Sequence, residues 1–275
     1  MVVLAANSAT LGTGYALRRW LVCGAVGLHG LRMATGALVL FFPYTFKHGD
    51  LSRYQYAQKR WLAQTHSPGL WWLKQQHDTA MQAFANSVGL AGPIILAATN
   101  PRPSLHVLEI VGLACWLMFW VLESLADVQK LAFLQASKKN GDAHTAVLGH
   151  APYDTDRYWM WVASRHPNYF CEWMCWNAFV LAAVPSVLDL WADSAQPAAA
   201  RFGVCVLLAY TSRSFYDCLV HWTGAAPAEA RSVKRRPAYR AYQQMTNVLV
   251  PWVAVPGFDH HRQPGWPLET SKASQ

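Results

Sequence analysis

Charge is scarce in this sequence: Asp, Glu, Lys and Arg together make up 14% of 275 residues, against about 25% in ordinary soluble domains. That shortfall excludes a disordered chain and a highly solvated coil. No CxxC pair occurs among the six cysteines, so neither a zinc site nor a redox motif is indicated. Four of them (Cys23, Cys115, Cys175 and Cys205) lie inside apolar runs, where a disulfide framework has no reason to form. The first 17 residues are uncharged, and the apolar run after Arg18-Arg19 is too long for a signal-peptide core, so no secretory signal is expected. Internal repeats and low-complexity tracts are absent. Basic runs interleaved with base-stacking aromatics are absent too, which removes nucleic acid as the explanation of the +8 charge.

What is present is apolar mass: 53% hydrophobic residues, with 14 Trp, 11 Tyr and 11 Phe. A helix needs about 20 residues to cross a hydrocarbon layer of about 30 Å. Five stretches qualify: Trp20 to Phe42, Thr79 to Thr99, Leu105 to Leu125, Tyr169 to Leu190 and Ala198 to Leu219. Pro43, the Asn100-Pro101-Arg102-Pro103 string and Gln196-Pro197 mark their ends. The sequence therefore predicts an all-α, polytopic membrane bundle of about five transmembrane helices with a short C-terminal amphipathic segment. Its organisation is an N-terminal extension over 1–19, a membrane domain over 20–252 and a polar tail over 253–275.

The basic residues are sorted by loop. Lys47, Arg53, Lys59, Arg60 and Lys74 fall between the first two spans, Lys130, Lys138, Lys139, Arg157 and Arg165 between the third and fourth, and seven more in the tail. Five crossings put all 17 on one side, the asymmetry of a positive-inside protein, with the two termini on opposite faces. The membrane itself is left open among endoplasmic reticulum, mitochondrial inner and bacterial inner membranes.

Ionisable groups within spans are costly and call for partners or a cavity. Here they are Arg32, Glu109, Glu123, Glu172, Arg213 and Asp217. Arg213 and Asp217, four apart, share a helix face and are able to pair. Glu123, Asp127 and Lys130 form a stripe leaving the third span, and Asn168 and Glu172 lie one turn apart at the start of the fourth, where a helix N-terminus favours a carboxylate. Asn168 after Pro167 also reads as a plain cap. The tail carries Arg231, Lys234, Arg235, Arg236, Tyr239, Arg240 and Tyr242, the composition of a helix lying on anionic headgroups. With Asp50 to Tyr54, these clusters meet at one face of the membrane. Arginines, tyrosines, an amide and a carboxylate at one mouth suit a large anionic cofactor.

The string Ser164-Arg165-His166-Pro167-Asn168-Tyr169-Phe170-Cys171-Glu172-Trp173 resembles the SRHPNYxGE signature of the steroid 5-alpha-reductase-like membrane family, in particular a large branch long described as a domain of unknown function. Gly49-Asp50 with Arg53-Tyr54, Ala126-Asp127-Val128-Gln129-Lys130, and Lys234 to Tyr242 followed by Pro251-Trp252 agree in order and spacing. The resemblance covers Leu31 to Trp252. It implies a helical domain whose C-terminal half cradles NADPH, with Asp127, Arg165, Asn168, Glu172, Arg236, Tyr239 and Arg240 as the cofactor-binding set. It implies no metal. A hydride would pass to a conjugated double bond of a lipid-like substrate. Cys171 stands where the signature has glycine. The family's carbonyl-polarising glutamate belongs upstream of the first span, where residues 1 to 19 are too short to supply its helix, so the catalytic acid is unassigned; His29 and Arg32 are the nearest polar groups. The same RHPxY turn and basic tail also resemble isoprenylcysteine carboxyl methyltransferases, which use S-adenosylmethionine. A third reading is a non-catalytic membrane subunit of a larger assembly. Membrane lipid, a lipid-like substrate and protein partners are the expected partners, and nucleic acid is not.

Overall fold

In a computed structural model, residues 15–38, 52–65 and 67–251 are described. The ends of the expected first span (39–42), the Gly49-Asp50 pair and the 253–275 tail fall outside them. Among the described residues every regular element is helical. The α-helices are α1 (Ala16–Gly36), α2 (Ser52–Thr65), α3 (Trp71–Phe84), α4 (Ala91–Ala98), α5 (Val107–Asn140), α6 (Trp159–Ala163), α7 (Pro167–Ala192), α8 (Ala198–Asp217), α9 (Ala225–Arg235) and α10 (Tyr239–Met245).

Among the described residues, three helices are long and apolar enough to cross a membrane: Pro68–Ala98, in which α3 and α4 run on through a π-helical turn, then α5, and α7. They coincide with the second, third and fourth expected spans. The other two expected spans correspond to α1 and α8, which are helical in place but carry three charges each: Arg18, Arg19 and Arg32 on the one, Arg201, Arg213 and Asp217 on the other. α5 is longer than expected. Its 34 residues measure about 51 Å at 1.5 Å per residue, so about 14 of them exceed a ~30 Å hydrocarbon layer.

The chain divides into two compact units, Met1–Glu123 with Cys171–Tyr216 and Ser124–Phe170 with Asp217–Gln275. In the first unit, Val22 and Ala25 of α1, Ile94, Ala97 and Ala98 of α4, Trp116 of α5, and Cys175, Ala178, Phe179, Ala182 and Ala183 of α7 form one core. Small residues let α5 and α7 approach closely, as in many membrane helix pairs. A Cβ on Gly112 would stand 2.8 Å from the Ala178 carbonyl oxygen and 2.8 Å from the Ala182 nitrogen.

Polar groups in this unit find partners across the helices. Pro93 cannot donate to the carbonyl of Gly89 one turn earlier, and the Thr211 hydroxyl of α8 donates to that oxygen instead at 2.9 Å. Arg18 is 1% exposed and bonds both Glu109 oxygens, at 2.5 and 3.1 Å, and the carbonyls of Asn100, Arg102 and Ser104. Arg32 pairs with Glu123 at 2.5 Å. Both ion pairs join α1 to α5, and each is separated by 91 residues along the chain. The two helices therefore run parallel and in register, their ion pairs about 21 Å apart along the axis. The Arg213 guanidinium stands 6.0 Å over the Tyr216 ring, and in the second unit Asp217 lies 3.8 Å from His221.

Candidate functional site

The second unit is built around the RHP turn. Pro167 cannot follow a helical residue comfortably, so α6 ends before Ser164 and α7 begins at Pro167. The intervening backbone is pinned to the segment after α10. The Arg165 N–H donates to the Asn247 carbonyl at 2.8 Å and the Ser164 hydroxyl to the Leu249 carbonyl at 2.7 Å. Tyr242 donates its hydroxyl to the Trp161 carbonyl, and the Trp161 indole N–H donates to Ala126 on α5 at 3.0 Å.

Arg165 is itself 2% exposed and does not reach outward. Its guanidinium donates to Glu229 Oε1 at 2.7 Å and Oε2 at 3.2 Å, and to the carbonyls of Gln243 at 2.9 Å and Thr246 at 2.6 Å. Four of its five N–H groups are thereby used within the protein. Glu229 also accepts from His166 Nε2 at 3.0 Å and from the Gln243 amide at 2.5 Å. Sequence reasoning missed Glu229 because α9 reads as a basic surface helix. The signal that could have found it is periodicity: Glu229 lies on the buried face of α9 with Ala225 and Ala226.

Burial alone would raise the Glu229 carboxyl, but the hydrogen bond from His166 and the charge and hydrogen bonds of Arg165 overturn this and hold it at about 2. Burial likewise pushes the His166 imidazole below its usual value, and the pull of Glu229 does not restore it against Arg165 and Lys130. A neutral His166 donating from Nε2 to an ionised Glu229 is the arrangement these directions describe. Both groups take up protons more readily when unfolded, so their contribution is complete above about pH 6.5, the higher of the two unfolded values, and fades as pH falls. The apparent melting temperature in detergent should fall progressively from pH 6.5 to 3, and the Glu229→Gln variant should show a flatter profile. Equal acid sensitivity of the two proteins would contradict this assignment.

Beside this buried knot lies a cleft of about 130 Å³, lined among others by Lys130, Trp161, Asn168, Tyr169, Arg236 and Tyr239. The Lys130 ammonium stands 5.6 Å over the Trp161 ring. Tyr169 stacks on His166, the rings 3° from parallel and 5.0 Å apart. Asn168 donates its amide to Asp127 at 3.2 Å, which fixes the amide orientation because a carboxylate only accepts. Asn168 Oδ1 is then left buried with no hydrogen-bond partner among the described residues, and Arg236 Nε is in the same position. One is an acceptor and the other a donor, and both residues line the same cleft. Among the described lining residues there is no carboxylate, while Lys130 and Arg236 bring positive charge. Burial, the largest influence, lowers the Arg236 guanidinium from its usual value, as do Arg235 and Arg231 nearby.

Of the set the sequence suggested, Arg165, Asn168, Arg236 and Tyr239 line this cleft, and Asp127 reaches it through Asn168. Arg240 is exposed and not among the lining residues, and Glu172 belongs to the other unit. Cys171 is 2% exposed, so the position where the signature has glycine holds a buried side chain. The unmatched donor and acceptor suit an anionic ligand that also carries a hydroxyl or amide; Arg236 would meet the anion and Asn168 the hydroxyl or amide.

A stretch of 113 residues is 28% identical to the Uncharacterized protein C9.08c of Schizosaccharomyces pombe (strain 972 / ATCC 24843), covering 39% of this chain and 39% of that protein. No solved structure matches the chain. The model of one protein family, described as Protein of unknown function (DUF1295), matches residues 1–246, and the chain with its RHP turn, buried arginine and cationic cleft belongs to that family.

Proposed function

We propose that this protein is a membrane-embedded, NADPH-dependent reductase of a conjugated double bond in a lipid-like molecule. The observation that carries the reading is the cleft itself: among the described residues, a donor and an acceptor without hydrogen-bond partners, in a cleft whose lining includes Lys130 and Arg236 and no carboxylate. Burying such atoms unpaired costs about 1–3 kcal/mol each, a cost a bound ligand would remove. Arg236 and Lys130 would hold phosphate, Asn168 Oδ1 would accept from a carboxamide or ribose hydroxyl, and Tyr169 and Tyr239 would supply ring surface. Bound NADPH supplies a hydride, and the protein's part is to orient it and exclude water. The same charge argues against S-adenosylmethionine, whose sulfonium would enter a field already positive.

Melting of the protein in detergent separates these readings. A ligand at about 100 times its dissociation constant adds about 2.7 kcal/mol to the native state, so NADPH should raise the melting temperature clearly and S-adenosylmethionine should not. A larger shift with S-adenosylmethionine would move the assignment to the methyltransferases, and no shift with either would favour the non-catalytic subunit.

A further inference from the structure

We propose that the outward face of α5 from Leu125 to Leu131, with Trp159 and Val162 of α6, is a contact surface for the acyl chains and headgroup border of a phospholipid leaflet. Lipid would then cover part of the second unit, beyond the span expected from the sequence. The inference is independent of what fills the cleft.

Continuity along one helix supports it. Val107, Leu117, Val121, Leu125, Val128 and Leu131 are all exposed, and at 3.6 residues per turn they fall within an arc of about 120° on α5. The first three lie in the stretch expected to cross the membrane, so the others prolong a face that lipid already covers. Every exposed residue of α5 from Val107 to Leu131 is apolar except Lys130, which points to the other side, into the cleft. Past Leu125 the pattern is the reverse of a helix in water: Leu125, Val128 and Leu131 are outside, while Ala126 and Gln129 are buried at 0% and 6% exposure. Water favours large aliphatic groups inside and an amide outside, whereas hydrocarbon accepts leucine and valine without cost. From Val107 to Leu131 the stripe rises about 36 Å, which fits a ~30 Å hydrocarbon layer at a tilt of about 35°. The same face then turns polar at Gln135, Lys138 and Lys139, all exposed, and lysines there can reach headgroups from an apolar stem. α6 lies beside this stretch, with the Trp161 indole on the Ala126 carbonyl at 3.0 Å and the Tyr158 ring 6.4 Å from the Phe133 ring. Trp159, between these two anchors, and Val162, one turn on, are both exposed. Tryptophan is the side chain enriched at the border between hydrocarbon and headgroups.

The test reads depth in the bilayer. A nitroxide is carried on a non-natural amino acid, which leaves the cysteines native, at position 128, 162 or 139 of the full chain reconstituted in phosphatidylcholine vesicles. Power saturation then compares collisions with oxygen, which concentrates in hydrocarbon, and with a water-soluble nickel complex. Labels at 128 and 162 should show an oxygen-to-nickel ratio several-fold above that of the label at 139. Equal ratios at all three positions would place the face in water and overturn the proposal. Few collisions with either reagent at 128, with dipolar broadening between labelled copies, would make the face an interface between two copies of this chain; without broadening, it would be covered by another part of the same chain. Either outcome overturns the assignment to lipid. Labelling of the unsubstituted protein in the same vesicles by a carbene reagent dissolved in the hydrocarbon covers the case of a nitroxide variant that fails to fold. Modification that extends over residues 125–131 and 159–162 supports the proposal, and modification of α5 that stops before residue 125 refutes it.

Discussion

Replacing Glu229 with alanine is expected to destabilise the second unit by roughly 3–5 kcal/mol, because it strands a buried guanidinium. The Arg165 and Glu229 side chains are 2% and 4% exposed, and neither can turn to water without breaking the RHP turn. Removing the carboxylate would also leave the His166 Nε2–H and the Gln243 amide without the oxygen each now reaches. Glu229→Gln keeps the volume and part of the hydrogen bonding, so it should lose less. The double variant Arg165→Met, Glu229→Met should recover a large part of the loss, since apolar replacement of a buried ion pair is often close to neutral. Chemical denaturation in mixed micelles measures this. A double-mutant coupling close to zero would show that the pair is not the keystone of the unit.

Gly149→Val should be the most damaging single change in the loop between α5 and α6. Gly149 has φ +85, a conformation that side chains branched at Cβ rarely adopt. A Cβ there would lie 2.3 Å from the Trp161 carbonyl oxygen and 2.7 Å from the Tyr242 hydroxyl. These are the two partners of the hydrogen bond that ties α10 to α6. Strain and steric overlap together should cost several kcal/mol, about 1–3 from each. The loop would have to withdraw from Trp161, which lines the cleft. Loss of nucleotide-dependent stabilisation should therefore accompany the lower melting temperature. A Gly149→Val protein that melts like wild type would contradict the close approach.

Much of this architecture was legible in the residues. Apolar length located three of the helices by their stretches over 79–99, 105–125 and 169–190, but not the extension of the first back to residue 68 or of the second on to residue 140, where the residues turn polar. The prolines at 101, 103 and 167 fixed where two of them stop or start. Partners across helices were not legible. Glu109 and Glu123 visibly needed cations, but Arg18 and Arg32 lie 91 residues away, and only the parallel packing of α1 and α5 brings them together.

The site divides in the same way. Asn168, Arg236 and Tyr239 were visible through the signature and do line one cleft. Arg165 carries the same signature, yet its guanidinium is spent on Glu229 and two carbonyls, because a buried arginine must satisfy its donors locally. Glu229 left no local trace: an acidic residue in an arginine-rich helix looks like a solvated i,i+4 partner until the buried face of α9 is known.

The central claim, that the cleft of the second unit holds a phosphorylated nucleotide, is tested most directly by a density map of the purified protein saturated with NADPH. Nucleotide density lying against Arg236 and Lys130, with a polar group within hydrogen-bond distance of Asn168 Oδ1, is the predicted result. Density elsewhere in the protein, or an empty cleft at saturating nucleotide, would contradict it.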